Sequence, residues 1–278
     1  MAVMTVIAIT RELGSLGRNV AIGLSERLSM ELVHHELVEK TIGARLNRNE
    51  SDVNKFLEAG ITWLNRWGID SRRLGQFTAE TILELASRGN VILRGWGAAH
   101  LLSDFPDVLR IRVCAPMSTR ETVVMERTGI QERDTARKEI EANDAAHAGV
   151  IPRFFGGDWQ CPENYDIVLN TERLSVGECI DQILQVRSND RYREIEASRQ
   201  PIADKLLQLR IQQRLTDNLF GGHEIPGINV LVSSGEVVLD GYIQSNHLRK
   251  DIERVTQAMP GVMGVSNNLE HLRGTYEM

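Results

Sequence analysis

The chain has 278 residues, enough for one large domain or two ordinary ones, and with 42% hydrophobic and 25% charged residues it can build a core without disulfide or metal staples. A net charge of −6 and a pI near 5.7 argue against a general nucleic-acid coat, so no nucleic-acid partner is expected, although a basic phosphate site can sit inside an acidic protein. Cys114, Cys161 and Cys179 form no CxxC or Cys/His cluster, which speaks against zinc and against a disulfide scaffold and suits a reducing cytoplasm. The N-terminus has no basic n-region and meets Arg11 and Glu12 too soon for a signal peptide. No run approaches the roughly 20 apolar residues of a membrane span, and a cytoplasmic location is expected.

Residues 4–10 form a short apolar run that ends in a glycine turn, Glu12-Leu-Gly-Ser-Leu-Gly17, and 18–29 is amphipathic through Val20, Ile22, Leu24 and Leu28. This reads as strand, turn, helix. A polar helix is predicted over 36–59 and another helix over 77–88, and a buried strand at Val91–Leu93 runs into Arg94-Gly-Trp-Gly97. A strand at 108–113 ends at Cys114-Ala-Pro116, and Ser118 or Thr119 is placed to cap a helix running to about Arg127. A charged helix over 130–148 precedes a loop from Pro152 to Pro162, a strand at 165–170 and a helix at 175–186. Adjacent His34 and His35 diverge on any regular element and read as structural. Alternating strands and helices predict a three-layer α/β domain with a mostly parallel sheet over residues 1–187.

The polar stretch 188–201 reads as a linker or an exposed helix. A different unit follows over 202–273: a helix at 202–217, strands at 228–232 and 237–241 joined at Ser234-Gly235, a helix at 245–258, and a last strand at 262–269. This is a small α+β module.

A helix that starts directly after a glycine turn presents unpaired N–H groups and the positive end of its dipole, which suits phosphate oxygens. Placing Gly17 at the second glycine of GxxxxGK[ST] puts Glu12 at the first, Arg18 at the lysine and Asn19 at the Ser/Thr. On that motif alone, a glycine turn without a ligand is an equal alternative. The segment Ile9-Thr-Arg-Glu-Leu-Gly-Ser-Leu-Gly-Arg18 resembles the opening of the cytidylate kinase-like family, in which Ile-x-Arg-Glu-x-Gly-Ser-x-Gly-Arg is typical and arginine stands in place of lysine. The resemblance implies a P-loop kinase-like fold that uses ATP and Mg²⁺. It places Arg11, Glu12, Gly14, Ser15, Leu16, Gly17, Arg18 and Asn19 around the nucleotide phosphates. Arg18 would grip the β or γ oxygens, and Ser15 is the nearest hydroxyl for Mg²⁺, since Asn19 is the poorer ligand.

The resemblance extends to about residue 185. Asn90 to Ala98 looks like the family's VIvGRGA segment, which makes Arg94, Gly95, Trp96 and Gly97 candidates for the acceptor monophosphate, CMP or another. Trp96 stands where the family has arginine; Arg94 either replaces it or is a salt-bridged sheet-end residue. Arg127-Thr-Gly-Ile130 and the helix after it look like a lid, so Arg127, Arg133, Arg137 and Arg153 join Arg18 as candidates for neutralising charge during transfer. The family's Asp-x-x-Arg appears as Asp144-Ala-Ala-His147, and a neutral histidine offers one hydrogen bond where arginine offers a charged fork. Asp158-Trp159, Tyr165-Asp166 and Asn170-Thr171 match a later signature, the last either bordering the base or serving as a turn.

Residues 203–272 resemble a BON domain through Ile228-Asn-Val, Gly235-Glu-Val-Val-Leu-Asp-Gly241, Arg249 and Pro260-Gly-Val-Met-Gly-Val265 with Asn267 and Leu269. This implies binding of a phospholipid surface or a protein partner, and a position at the membrane periphery. From Ala203 onward there are seven Lys/Arg against nine Asp/Glu, which disfavours electrostatic attachment to anionic lipid and leaves homo-oligomer contact or regulation equally open. Two main functional readings follow. One is an ATP-dependent cytidylate-type kinase regulated or localised by the BON module. The other is a nucleotide-holding, pseudokinase-like sensor acting through that module, which Asn19, Trp96 and His147 favour. A third makes the BON module the main agent and the first domain its scaffold.

Overall fold

Strands β1 (Val6–Arg11) and β3 (Val91–Arg94) read as unbroken apolar runs because both faces of their sheet are covered. The computed structural model describes residues 5–33, 71–95, 97–192, 199–221, 227–243 and 245–271, in two compact units, 1–195 and 196–278. The predicted helix over 36–59, the His34-His35 pair, Trp96 and the side chain of Arg153 lie outside the described residues.

In the first unit, helix α1 (Gly17–Leu28) follows β1 and buries Val20, Ala21 and Leu24 along one face. The strand β2 (Glu31–Val33), the helix α2 (Ser71–Arg88), β3 and the short helix α3 (Ala98–Leu101) come next. Then follow β4 (Leu109–Cys114), α4 (Met117–Thr128), α5 (Arg133–Phe155), β5 (Ile167–Asn170) and α6 (Val176–Arg187). The sheet is parallel throughout, in the order β2-β3-β1-β4-β5. Ile7, Ile9, Ile92, Leu109 and Ile111 pack with Leu24 of α1 and Ile180 and Ile183 of α6. Ser175 begins α6 with a reciprocal capping box to Glu178.

The structure departs from the sequence expectation at several places in this unit. Pro116, not Ser118 or Thr119, takes the cap position of α4, with extended backbone (φ −58°, ψ 151°), where the N–H that proline lacks has no partner within the helix. Helix α5 runs through Pro152, where a loop was expected. Phe154 packs on Gly75 of α2 and Phe155 on Gly97, and this aromatic contact offsets the hydrogen bond that Pro152 cannot make. Residues 190–192, expected in a linker, form a turn whose Tyr192 is buried in the core, and the Thr5 hydroxyl donates to the Tyr192 carbonyl at 3.2 Å.

In the second unit, α7 (Arg199–Leu219) precedes the antiparallel pair β6 (Ile228–Ser233) and β7 (Glu236–Ile243), then α8 (Asn246–Gln257) and β8 (Gly264–His271), which runs parallel to β7. Ile211, Leu215, Val230, Val237, Leu239, Ile252 and Leu269 form its core. The β6–β7 turn needs positive φ at Ser234 and Gly235, and the buried Asp204 of α7 accepts both of their N–H groups, at 2.7 and 3.1 Å.

Candidate functional site

The loop between β1 and α1 lies at the C-terminal end of the central strand, flanked by β3 and β4, where open α/β sheets bind ligands. Glu12 N–H donates to the Val113 carbonyl and Ser15 N–H to the Glu12 carbonyl, both at 3.1 Å, and Leu16 then turns through φ 58°. The first helical bond is Val20 N–H to the Leu16 carbonyl, so the amides of Leu16, Gly17, Arg18 and Asn19 precede it at the positive end of α1. Left-handed backbone at a leucine stores about 1–3 kcal/mol, a strain that clusters at functional loops. Gly14 has φ 82°, and a Cβ there would stand 2.5 Å from the Arg120 carbonyl oxygen. A Cβ at Gly17 would stand 2.7 Å from the Cβ of Arg11, so only glycine lets α1 begin this close to β1.

Around this loop the arginines divide into two groups. Arg11, half-buried at the end of β1, has its pKa brought down to about 10, first by burial and then by the fields of Arg94, Arg127, Arg18 and Arg120. It stays a cation at neutral pH, crowded by other cations. Among the described residues, the Arg11, Arg18 and Arg127 side chains have no acidic partner. Arg94 pairs in register with Ile9 at the end of β3 and is buried, so it stands on the loop side of the sheet. Gly95 donates its N–H to the Ile9 carbonyl at 2.9 Å, and Gly97 caps α3 at φ 68°.

The second group is neutralised from within. Glu12 receives Arg112 at 2.6 Å and the Ala115 N–H at 3.1 Å, and lies 3.6 Å from Arg120. Arg120 donates to the Leu13 carbonyl at 2.8 Å and grips Asp144 with two bonds of 2.8 and 2.7 Å. The Ser15 hydroxyl is fully buried and donates to the Val113 carbonyl at 3.0 Å, while the Thr171 hydroxyl donates to the Ser15 carbonyl at 2.8 Å. Glu12, Ser15 and Asp144, expected beside the ligand, therefore turn into the fold as struts; each finds its partner on β4 or α4. Arg112 and Arg120 went unread in the sequence. For Arg112 the available signal was an arginine inside an apolar strand, which must find a buried acid; Arg120, on α4, carries no such signal.

The expected lid arginines also separate. Glu121, almost fully buried between α4 and α5, accepts Arg133 at 3.1 Å and Arg137 at 2.6 Å, and these two arginines hold its carboxyl below the usual range. Arg127 is exposed on α4. Of the later signature, Asp166 holds Arg110 at 3.0 Å and Tyr165 donates its hydroxyl to the Trp159 carbonyl at 2.6 Å, both packing roles. The Asn170 side chain accepts the Glu172 N–H at 3.0 Å, a turn contact.

His147 lies with its Nδ1 2.8 Å from the Asn143 carbonyl, which assigns the ring proton to Nδ1, and its ring packs 5.3 Å from that of Trp159. Burial lowers its pKa below the ordinary 6.5, and His100 is lowered for the same first reason. The folded state thus binds fewer protons than the unfolded chain just below pH 6.5. The stability this contributes is fully present above that pH and is lost as pH falls through the lowered values. Urea midpoints are expected to drop between pH 7.5 and 5.5, with a shallower drop in His147→Gln; an equal drop in the variant removes His147 as a source.

No group of three or more His, Cys, Asp or Glu side chains suited to a metal ion occurs among the described residues. Neither is any helix among them long and apolar enough to cross a membrane.

Residues 6–173 match the Cytidylate kinase-like family, and residues 203–272 match the BON domain. A cytidylate kinase of Pyrobaculum aerophilum is 25% identical over 177 residues, which is 64% of this chain and 89% of that protein. A crystal structure of a protein from Eubacterium ventriosum has the same fold, with a TM-score of 0.53 at 23% identity, covering 66% of this chain and 97% of that one. Shikimate kinase from Bacteroides thetaiotaomicron aligns with a TM-score of 0.44 at 11% identity, over 67% of this chain and 99% of that one. With more than half its length matched, the chain belongs to the cytidylate kinase-like family and carries a BON domain behind the kinase-like unit.

Proposed function

We propose that the first unit transfers the γ-phosphoryl group of ATP to a nucleoside monophosphate, with CMP the leading acceptor, and that the BON domain localises or regulates it. The observation that carries this reading is the set of cations without an acidic partner among the described residues, Arg11, Arg18 and Arg127, gathered at the start of α1. Crowded arginines without acids cost free energy unless an anion joins them, and a triphosphate supplies the charge they lack. In this reading the amides of residues 16–19 and Arg18 hold the β and γ oxygens. Arg11 neutralises charge from beneath, and Arg127 faces the transferring group from α4. Arg94, with Gly95 and Gly97, serves the acceptor side. The acceptor's own phosphate oxygen attacks in line, so no protein nucleophile is required.

Mg²⁺ bound with the nucleotide would supply charge neutralisation to the phosphates. Ser15, the hydroxyl expected to hold it, is buried and donates to the Val113 carbonyl, so it does not fit that role.

The full chain incubated with ATP, Mg²⁺ and a panel of monophosphates is expected to form a diphosphate product. Arg127→Ala is expected to lower kcat about 100-fold, the usual cost of one transition-state donor. Arg133→Ala, which removes a residue held by Glu121, is expected to change it far less. Nucleotide-dependent thermal stabilisation without turnover points instead to the sensor reading, which the neutral, internally bonded His147 favours. No stabilisation by any nucleotide sinks both.

A further inference from the structure

Asp144 and Arg120 form an enclosed charge pair near the loop, their side chains 19% and 6% exposed. Besides the Arg120–Glu12 ion pair, the helical hairpin of α4 and α5 meets the loop around Leu13 and Gly14. The Leu13 side chain packs with Val124, Ala136 and Ile140 of the hairpin. The Arg120 backbone carbonyl closes against Gly14. The Arg120 Nε–H donates to the Leu13 carbonyl. The two-bond grip of Asp144 fixes the plane of the guanidinium and so the direction of that Nε–H.

A trans peptide is planar, and its C=O and N–H point in opposite directions. Holding the Leu13 carbonyl on Arg120 therefore turns the Gly14 N–H away from α4, where it can donate to a phosphate oxygen. Without Asp144 the guanidinium keeps only the longer 3.6 Å ion pair with Glu12, and the Leu13–Gly14 peptide loses the two-bond brace that fixes its orientation. A flipped peptide would present a carbonyl oxygen to the anion and repel it.

We infer that Arg120 and Asp144 are positioning residues of the phosphate loop, which orient the Leu13–Gly14 peptide for a polyphosphate that neither side chain touches. This deepens the proposed kinase reading and rests on it for the identity of the ligand. It also removes Asp144 from the acceptor-binding residues that the sequence suggests.

The test uses the full-length protein and two readouts. In hydrogen exchange without nucleotide, Asp144→Asn is expected to speed exchange of the Gly14 to Arg18 amides by about tenfold or more, with β1 and β4 unchanged. Inorganic tripolyphosphate, which carries no base and fills no acceptor site, is expected to bind the variant about 10- to 100-fold more weakly, the range seen when supporting partners are removed. The KM for the monophosphate should stay within about twofold. Unchanged loop exchange overturns the inference, as does a raised acceptor KM with tripolyphosphate affinity intact. Should Asp144→Asn lose its fold by circular dichroism, Asp144→Glu keeps the charge but displaces the carboxylate; loop exchange that stays at the wild-type rate there overturns the inference equally. Wild-type protein that fails to bind tripolyphosphate counts against the kinase reading, while the exchange result still decides the positioning role.

Discussion

Gly14→Ala is expected to lower the stability of the first unit by about 3 kcal/mol and to abolish nucleotide binding. Two costs combine. A side chain at φ 82° is strained by about 1–3 kcal/mol, and a Cβ placed 2.5 Å from the Arg120 carbonyl forces the loop and α4 apart. Neither neighbour can yield cheaply, because Arg120 is held by Asp144 and Leu13 is buried in the hairpin seam. The loss corresponds to roughly 6–12 °C in the melting temperature of a unit this size. Calorimetry with and without ATP measures both effects. A variant that keeps its melting temperature and its ATP-dependent stabilisation shows that the loop can relax around a methyl group.

Arg18→Ala is expected to leave stability within about 0.5 kcal/mol of wild type, as for other surface changes, because the side chain is exposed and pairs with no acid among the described residues. Its effect falls on the ligand. Removing a charged donor from the β or γ oxygens is expected to lower kcat/KM for ATP by about 1,000-fold, the upper range for one transition-state donor. Arg18→Lys should recover part of this, since lysine restores the charge but not the two-pronged geometry. Steady-state kinetics on the three proteins decides the matter, and equal kcat/KM in wild type and alanine variant removes Arg18 from the site.

The order of elements was legible because the information lay in short windows. The Ile9–Arg18 segment carries its turn, its helix start and its family likeness in ten neighbouring residues, and Ser234-Gly235 marks a hairpin by itself. The strand β2 escaped notice because three residues give no period. The inner half of the site was illegible for a different reason. Glu12 pairs with Arg112, Ser15 with Val113, and Arg120 with Leu13, each across about a hundred residues of chain. From sequence alone, an acid beside a phosphate loop looks like a ligand; only the fold shows that β4 brings an arginine to meet it. The pairing of Arg133 and Arg137 is hidden in the sequence for the same reason, since their partner Glu121 lies on the facing helix. The opposite failure occurred at Pro152, where local propensity was clear and the packing of Phe154 and Phe155 overrode it.

One buried carboxylate serves two arginines in the α4–α5 hairpin, which gives its bases a fail-safe and its acid none. Chance replacement at 133 or 137 leaves Glu121 with a counter-charge. Replacement of Glu121 leaves two half-exposed cations side by side without the acid they share. Drift along this hairpin should therefore be lopsided, permissive at the two basic positions and restrictive at the acidic one.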